Sequence, residues 1–376
     1  MRYFISAGEA SGDMHGAPLI EALKSLDNRA EFRFLGGDGM AGAAGQEPLI
    51  HYREMAYMGF SEVLRNLGKV LGNLKTARRE ISSWHPDAVV LIDYPSFNLK
   101  LAKHAYNLGI PVYYYISPKI WAWKEWRVKD IRRYCRKVLS ILPFEVEFYG
   151  RHSMAVEYVG NPSVEEVDAR EAALPGKDKF TERWGLYAGK PLLALVPGSR
   201  MGEIRNNLPV MAEVARRFPQ LQPVIAGAPG IDTDVYCNYS DFPVVTDATF
   251  ELVRNSACAL VTSGTATLET ALLGTPQVVC YRGNGSKAFY NIMKHVIKCP
   301  FVSLPNLIAG KEIVPEMLMH MCNPDNVAYE LEKILPGTPG RDEMLHGYAR
   351  MRGRLGESTA AETAAAAIWK SLNHIY

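Results

Sequence analysis

The chain has 376 residues, of which 48% are hydrophobic and 22% charged, a composition typical of a soluble folded protein with room for two domains. A net charge of +2 does not favour a nucleic acid as partner, and six cysteines without paired spacing argue against a disulfide framework or a zinc site. No apolar run approaches the ~20 residues of a membrane-spanning helix and no signal peptide precedes the first predicted strand, so we expect a cytoplasmic protein.

Short apolar runs alternate with helix-length segments, the pattern of parallel sheets covered by helices on both faces. The sequence predicts two doubly wound α/β domains, residues 1–163 and 164–340, and a helical tail over 341–376. The charged stretch that opens the second domain, up to Lys190, is predicted to be a linker. The predicted strands are 3–7, 32–35, 88–92, 112–116, 138–142 and 156–159, then 192–196, 224–226, 244–246, 259–262 and 277–281.

The first predicted strand leads into a glycine-containing loop, residues 8–15, ahead of a helix. Loops at the carboxyl edge of such a sheet commonly bind ligands. The glycines, four positions apart, match neither the dinucleotide fingerprint nor the phosphate loop. The carboxylates of Glu9 and Asp13 suit hydroxyl binding, helix capping or proton transfer, and a plain strand-to-helix turn is an equal alternative.

Asp93 closes the strand predicted at 88–92 and precedes the loop Tyr94-Pro-Ser-Phe-Asn98. A carboxylate at the edge of the sheet is a candidate general base. Capping of the proline-containing turn is the alternative, and the spacing alone leaves both open.

Two loops of the second predicted domain have the composition of a nucleotide site. Pro197-Gly-Ser-Arg200 combines backbone donors, a hydroxyl and a guanidinium, which suits a diphosphate clamp or, alternatively, a tight turn with a surface arginine. Ser263-Gly-Thr265 closes a strand and opens a helix, with Thr265 as the expected N-cap. Glu269, expected in the first turn of that helix, suits a ribose diol or stabilises the positive helix end.

Eight short motifs follow one another over roughly residues 1–310. They are Gly8-Glu-Ala-Ser-Gly-Asp13, Met58-Gly-Phe-Ser-Glu-Val-Leu64, Ser117-Pro-Lys-Ile-Trp-Ala-Trp123, Leu142-Pro-Phe-Glu145, Val159-Gly-Asn-Pro162, Pro197-Gly-Ser-Arg200, Ser263-Gly-Thr-Ala-Thr-Leu-Glu269 and Val302-Ser-Leu-Pro-Asn-Leu-Ile-Ala-Gly310. With these motifs in this order, the sequence resembles the lipid-A-disaccharide synthase family of glycosyltransferases.

The resemblance implies two facing Rossmann-like domains of the GT-B type with an interdomain cleft, and a C-terminal tail that returns to the first domain. It implies that UDP-2,3-diacylglucosamine is joined, with inversion of the anomeric carbon, to the 6-hydroxyl of 2,3-diacylglucosamine 1-phosphate, with release of UDP. It implies neither a metal nor a cofactor. This agrees with our interpretation of Asp232 and Asp234, in a Gly- and Pro-rich stretch, as a solvated turn.

The resemblance also assigns roles to single residues. The residues implied on the UDP side are Gly198, Ser199, Arg200, Ser263, Gly264, Thr265, Glu269 and Asn306. The residues implied on the acceptor side are Gly8, Glu9, Ser11, Gly12, Asp13 and Asn98. Catalytic roles are expected for Asp93, Glu9 and Arg200.

One position departs from the family pattern. Members of the family commonly have a second aspartate in Asp-x-Pro-Asp-Phe-Asn, where this sequence has Ser96. A serine without an activator is no base at neutral pH. We therefore expect Asp93 to take the proton, with Glu9 or the departing diphosphate as alternatives.

Residues 59–75 form an apolar stripe at helical spacing, with Arg65, Lys69 and Lys75 off the stripe. Since both implied substrates carry acyl chains, we expect this segment to lie on the cytoplasmic face of the inner membrane. Packing against the core is the alternative. The apolar residues of the stripe are Phe60, Val63, Leu64, Leu67, Val70, Leu71 and Leu74.

Other functions stay open. One is a different GT-B sugar-nucleotide enzyme, such as a 2-epimerase or a transferase with a soluble acceptor. Another is a non-catalytic module that binds a sugar nucleotide or a lipid, which the serine at position 96 suggests. The sequence does not determine the oligomeric state, a homodimer included.

Overall fold

The computed structural model of the chain describes residues 1–55, 67–123, 125–283, 300–357 and 359–374. The motif Met58-Gly-Phe-Ser-Glu-Val-Leu64 and much of the predicted stripe lie outside these residues. The chain divides into two compact units, Met1–Pro162 with Glu357–Tyr376, and Ser163–Gly356.

The first unit contains a seven-stranded parallel sheet with the order β3-β2-β1-β4-β5-β6-β7. The order reverses between β1 and β4, and Ala7 pairs with Ile92 at their carboxyl ends. The loops that begin at Gly8 and Asp93 therefore start side by side, at the switch point where such sheets bind ligands. The strands are β1 (Arg2–Ala7), β2 (Glu31–Gly36), β3 (Ile50–His51), β4 (Ala88–Ile92), β5 (Val112–Tyr115), β6 (Lys137–Ser140) and β7 (Glu157–Tyr158).

Helices cover both faces of this sheet, which is why its strands are continuous apolar runs. Phe4 of β1 packs with Ala77 and Ile81 on one face, and Ile5 packs with Ile20 and Ile368 on the other. The helices are Ala10–Leu26, Asp38–Ala44, Leu67–Trp84, Pro95–Asn107, Ile120–Trp123, Val128–Tyr134, Pro143–Arg151 and Ala360–Leu372, with 3-10 turns at Tyr52–Glu54 and Glu125–Arg127.

The second unit repeats this plan with a six-stranded parallel sheet of order β10-β9-β8-β11-β12-β13. Its switch point lies between β8 and β11, where Val196 pairs with Val261. The strands are β8 (Leu192–Val196), β9 (Gln222–Gly227), β10 (Val244–Thr246), β11 (Ser256–Thr262), β12 (Gln277–Tyr281) and β13 (Glu316–Leu318). The helices are Pro162–Glu171, Lys177–Arg183, Met201–Arg216, Thr233–Cys237, Thr249–Arg254, Thr265–Leu272, Leu304–Ala309, Pro324–Glu332 and Pro339–Leu355, with a 3-10 turn at Met319–Met321. The predicted α/β class with two doubly wound sheets is confirmed.

Two details of the predicted organisation differ from the structure. The stretch predicted as a linker contains the helices Pro162–Glu171 and Lys177–Arg183, because Val167 and Phe180 supply buried anchors among charged residues. The tail predicted from residue 341 begins later, since the helix Pro339–Leu355 buries Tyr348 and Met351 in the second unit.

The helix Ala360–Leu372, by contrast, belongs to the first unit. Its residues Ala364 and Ile368 are fully buried against the sheet, and the Tyr113 hydroxyl donates to Ser371 Oγ at 2.9 Å. This helix packs beside Ala10–Leu26, so the first and last described helices of the chain cover the same face of one sheet.

Candidate active site

The turn after β1 is shorter than the predicted loop over residues 8–15. The helix begins at Ala10, so only Gly8 and Glu9 form the turn. A Cβ atom on Gly8 would lie 2.2 Å from the Tyr94 ring, and one on Gly12 would lie 3.0 Å from the Ala7 side chain. Both glycines therefore allow close packing of the turn against β1 and the loop after β4.

Asp13 joins this helix to the next loop. Its carboxylate accepts hydrogen bonds from the backbone N–H groups of Gly37 at 2.6 Å, Gly39 at 3.0 Å and Met40 at 3.1 Å. The structure thus gives Asp13 an internal role at the start of the helix Asp38–Ala44, and its implied contact with a substrate stays a prediction. Glu9 is half-buried and Ser11 exposed beside the same turn.

Asp93 and Tyr94 follow β4 in left-handed backbone conformations, with φ of 40° and 47°. Such conformations are uncommon for residues other than glycine and persist where the surroundings fix them. The fully buried Asn98 supplies this fixation, because its amide nitrogen donates to the carbonyls of Asp93 at 2.8 Å and Ile92 at 3.1 Å, while Ser6 Oγ donates to its amide oxygen at 2.7 Å. Asn98, implied as a substrate contact, therefore holds the base candidate in place.

The Asp93 carboxyl group has the electrostatics of a general base. Burial is the main cause that raises the pKa of Asp93 to about 6; the positive charge of Lys119 opposes this rise and the negative charge of Glu9 adds to it. At pH 7 the group is mostly ionised and still basic enough to accept a proton, the condition that general-base catalysis requires. The Tyr114 hydroxyl donates to the Asp93 carbonyl at 2.7 Å and fixes the residue from β5.

Ser96, the position that departs from the family pattern, is exposed on the helix Pro95–Asn107. Arg127 donates to its hydroxyl at 3.4 Å. A guanidinium cannot take the proton of the Ser96 hydroxyl, so the contact with Arg127 does not activate Ser96, and Asp93 stays the better candidate for the base.

In the second unit, the loop after β8 carries Arg200 on its surface. Gly198 has φ of 115°, in the region that favours glycine, and the Ser199 N–H donates to Glu203 at 3.0 Å. The Arg200 side chain is 62% exposed and lies 3.8 Å from Glu203, so its guanidinium is accessible to an anion.

Asn207 connects three loops of this sheet edge and was not identified from the sequence. Its buried side-chain amide donates to Thr262 Oγ1 at 3.0 Å and to the Pro197 carbonyl at 3.4 Å, and its oxygen accepts from the Arg282 N–H at 2.7 Å. The ends of β8, β11 and β12 are thereby fixed by one side chain. No short-range pattern marks such a residue, because two of its three partners lie 55 and 75 residues away in the chain.

The loop after β11 starts a helix at Thr265, with Gly264 as the N-cap at φ of 157°. Thr265 is the first helical residue, so the expectation that it caps the helix is wrong. Ser263 is half-buried and Thr265 exposed at this helix start, which presents backbone N–H groups suited to an anion.

Glu269 lies in the second turn of this helix, beyond the position expected from the sequence. Burial raises the pKa of its carboxyl group to about 7. The negative charge of Glu166 contributes to this rise, and the positive charge of Arg170 opposes it. The side chain lines a cavity of about 660 Å³, in which the Arg170 guanidinium lies 5.0 Å from the centre of the Phe250 ring. The lining residues are Ala169, Arg170, Ala173, Leu174, Pro229, Asp247, Ala248, Thr249, Phe250, Glu251 and Glu269.

Asn306, implied on the UDP side, is fully buried. Its amide nitrogen donates to the Val314 carbonyl at 2.8 Å, and its oxygen accepts from the N–H groups of Ile313 at 2.7 Å and Val314 at 2.9 Å. Asp232 accepts from the Asp234 N–H at 3.0 Å and caps the helix Thr233–Cys237. In the described parts of the chain, no cluster of three or more His, Cys, Asp or Glu side chains has the arrangement of a metal site.

A family model described as lipid-A-disaccharide synthetase matches residues 3–368. The lipid-A-disaccharide synthase of Myxococcus xanthus is 43% identical over 381 residues, covering 99% of this chain and 97% of that protein. The chain belongs to this family. Further relatives of the same name come from Koribacter versatilis, 36% identical with 98% of both chains covered, and Geobacter sulfurreducens, 35% identical with 99% and 97% covered.

Solved structures support the fold of this family member. The UDP-GlcNAc 2-epimerase from Neisseria meningitidis, bound to UDP-GlcNAc, covers 100% of both chains with a TM-score of 0.66 at 13% identity. The glycosyltransferase of kitacinnamycin covers 99% of this chain and 98% of its own with a TM-score of 0.62 at 14% identity. At such identities the likeness concerns the fold alone.

The three hydrogen bonds of Asp13 yield a stability prediction for the family member. Asp13→Asn places an amide N–H₂ among backbone donors, so we expect the free energy of unfolding to fall by about 1–3 kcal/mol. Thermal denaturation followed by circular dichroism measures this. Asp38→Asn, at an exposed carboxylate in the adjoining helix, is the control and is expected to have almost no effect. Equal melting temperatures for Asp13→Asn and the unchanged chain would contradict the structural role.

Proposed function

We propose that the chain transfers a 2,3-diacylglucosaminyl group from UDP to the 6-hydroxyl of 2,3-diacylglucosamine 1-phosphate, giving the β-1,6-linked disaccharide 1-phosphate and UDP. The observation that carries this proposal is the match to lipid-A-disaccharide synthases over nearly the whole chain. The placement of Asp93 and Arg200 at sheet switch points supports it.

On the acceptor side, Asp93 takes the proton of the 6-hydroxyl while the hydroxyl oxygen attacks the anomeric carbon of the donor. The new C–O bond forms as the bond between that carbon and the diphosphate breaks, so the configuration inverts and the electron pair leaves with UDP. The half-buried Glu9 lies close enough to raise the pKa of Asp93, which favours Asp93 as the stronger base.

On the donor side, Arg200 and the helix start at Thr265 stabilise the negative charge that develops on the departing UDP. Glu269 accepts a hydrogen bond from the ribose diol, and the adjoining cavity of about 660 Å³ accommodates the nucleoside. Asn207 contributes indirectly, because it fixes the loops after β8 and β11, which lead to these groups.

One assay tests the proposed reaction against its rivals. The purified chain is incubated with UDP-2,3-diacylglucosamine and 2,3-diacylglucosamine 1-phosphate, and UDP and disaccharide are measured. We expect UDP release that depends on the acceptor. Conversion of UDP-GlcNAc without an acceptor would indicate an epimerase instead, and binding without turnover would indicate a non-catalytic module.

Arg200→Ala tests the donor side. Because a charge-assisted contact with the diphosphate is lost, we expect UDP affinity to fall by about 1.5–3 kcal/mol, measured by titration calorimetry. Arg216→Ala, at the far end of the same helix and paired with the exposed Asp241, is the matched control. Unchanged UDP affinity in a folded Arg200→Ala protein would remove this residue from the site.

Asp93→Asn tests the base. Turnover should fall by about 10²–10⁴-fold with UDP binding unchanged, because the amide cannot accept the proton. In the unchanged chain, turnover should decline below a pH of about 6, where Asp93 becomes protonated and is lost as a base. Near-normal turnover of Asp93→Asn would transfer the role to Glu9, which Glu9→Gln then tests. We expect Ser96→Asp to retain activity.

The helix Leu67–Trp84 supports a further part of the proposal, contact with an anionic bilayer. Leu74 is 5% exposed and packs in the core, whereas Leu71 is 50% exposed. The described part of the predicted stripe is therefore divided between core and surface. A shallow groove of about 340 Å³ surrounds Leu71, lined also by Leu74, Lys75, Arg78, Arg79, Ser82 and His104.

An exposed leucine among basic side chains fits a bilayer that contains anionic lipids, because its apolar side chain enters the interface while the cations contact headgroups. Within the described ranges, no helix is long and apolar enough to cross a membrane. We infer peripheral attachment through this helix at the cytoplasmic face of the inner membrane, where the acyl substrates reside.

Leu71→Ser tests the attachment. We expect weaker sedimentation with phosphatidylglycerol vesicles and an unchanged melting temperature, since the side chain is half-exposed. Leu26→Ser, at an exposed leucine on another helix of the same unit, is the matched control. Equal sedimentation of the two variants would contradict the proposed surface, and Leu74→Ser should instead lower the melting temperature.

A further inference from the structure

A second carboxyl group is buried near Asp93 and has no role in the proposed reaction. Glu145 lies in the first turn of the helix Pro143–Arg151 and is 0% exposed. Its Oε1 accepts a hydrogen bond from Trp121 Nε1 at 3.0 Å, and its Oε2 contacts Ser140 Oγ. The Trp121 ring also packs edge-on against Phe144, with ring centres 5.1 Å apart.

The hydrogen bonds around Ser140 allow Glu145 to be either an ion or a neutral acid. Ser140 Oγ accepts from the Leu142 N–H at 3.1 Å and can donate its one hydrogen either to Glu145 Oε2 or to the Leu142 carbonyl at 3.0 Å. When the hydroxyl donates to Leu142, the carboxyl group supplies the hydrogen of the other bond. Burial raises the pKa of Glu145 to about 8, which agrees with the neutral form at pH 7.

The same helix holds a second point of the segment after β5. Tyr149, one turn beyond Glu145, shares a hydrogen bond of 2.6 Å between its hydroxyl and Ser117 Oγ, and both side chains are buried. Residues 117–121 are therefore fixed at both ends by one helix face. This segment begins next to Asp93, whose N–H donates to the carbonyls of Ile116 at 3.3 Å and Tyr115 at 3.4 Å. Lys119 lies between the two fixed points, exposed to solvent, and its charge lowers the pKa of Asp93.

We propose that Glu145 is a positioning residue: together with Tyr149 it clamps residues 117–121, so that the Lys119 ammonium stays near the Asp93 carboxylate and keeps it ionised. The proposal rests on the proposed role of Asp93 as the base. Among the residues that the structure describes, the titratable groups that act on Asp93 or are acted on by it are Lys119, Glu9, Tyr114 and Glu145. Of these four, Lys119 carries the positive charge, so its placement sets the proton affinity of the base.

The experiment measures the titration of Asp93 in the full chain. Carbon-13 NMR of the chain labelled at aspartate, assigned with Asp93→Asn, gives the midpoint without any substrate. Glu145→Leu fills the space but bonds neither Trp121 nor Ser140, so we expect the Asp93 midpoint to rise by about one pH unit. Turnover, measured by UDP release, should then fall about fivefold at pH 6 and change little at pH 8. Lys119→Met should raise the midpoint similarly.

Two further variants and a control distinguish a specific effect of the clamp on the Asp93 titration from a general loss of structure. Glu145→Gln keeps an acceptor for Trp121 and a donor for Ser140, as the neutral acid does, so we expect the midpoint and the pH profile of the unchanged chain. Tyr149→Phe should raise the midpoint less than Glu145→Leu. Glu147→Gln, at an exposed position on the same helix, should change neither quantity.

The proposal would be overturned if Asp93 had the same titration midpoint in Glu145→Leu as in the unchanged chain. It would also be overturned if Glu145→Gln and Glu145→Leu raised the midpoint equally. If Glu145→Leu does not fold, an unchanged midpoint in Tyr149→Phe overturns it instead. The two proposals fail in different experiments. Absence of UDP release would contradict the proposed function, whereas the NMR titration needs no substrate and tests the clamp by itself.

Discussion

Each parallel sheet depends on one buried asparagine whose side-chain amide joins the carboxyl ends of neighbouring strands. Asn98 joins β1 to β4 through Ser6 and Asp93, and Asn207 joins β8, β11 and β12. Loops at such edges leave backbone groups without partners in the sheet, and a buried group left unpaired costs about 1–3 kcal/mol. A rigid amide that satisfies several of them holds the loops in one conformation, on which the left-handed backbone of Asp93 depends.

Two carboxyl groups of the first unit differ in pKa because their surroundings differ. Burial raises the pKa of Asp93 to about 6 and that of Glu145 to about 8, so at neutral pH one is an anion and the other an acid. The difference follows from position, since Asp93 lies at the partly open end of β4 whereas Glu145 is enclosed beneath Trp121. The positive charge of Lys119 lowers the pKa of both groups.

The sequence predicted the strands well because continuous apolar runs are the direct signature of burial on both faces. It predicted less well where a glycine could belong either to a loop or to a closely packed helix, and where few buried residues stand among charged ones. Gly12 looked like part of a loop but lies in a helix that packs closely on β1, and Val167 and Phe180 were too sparse among charged residues to indicate helices. The internal roles of Asp13 and Asn207 were beyond sequence patterns, because the partners of Asp13 lie 24 to 27 residues away and two of the three partners of Asn207 lie 55 and 75 residues away.

The helix Ala360–Leu372 makes the first unit discontinuous along the chain. Ala364 and Ile368 complete the apolar face formed by Ile5 and Ile20, which must therefore wait for this helix to leave the ribosome. The second unit is continuous and its residues emerge before that helix does. The unit synthesised first is thus completed after the second unit, and until then part of its sheet face stays uncovered.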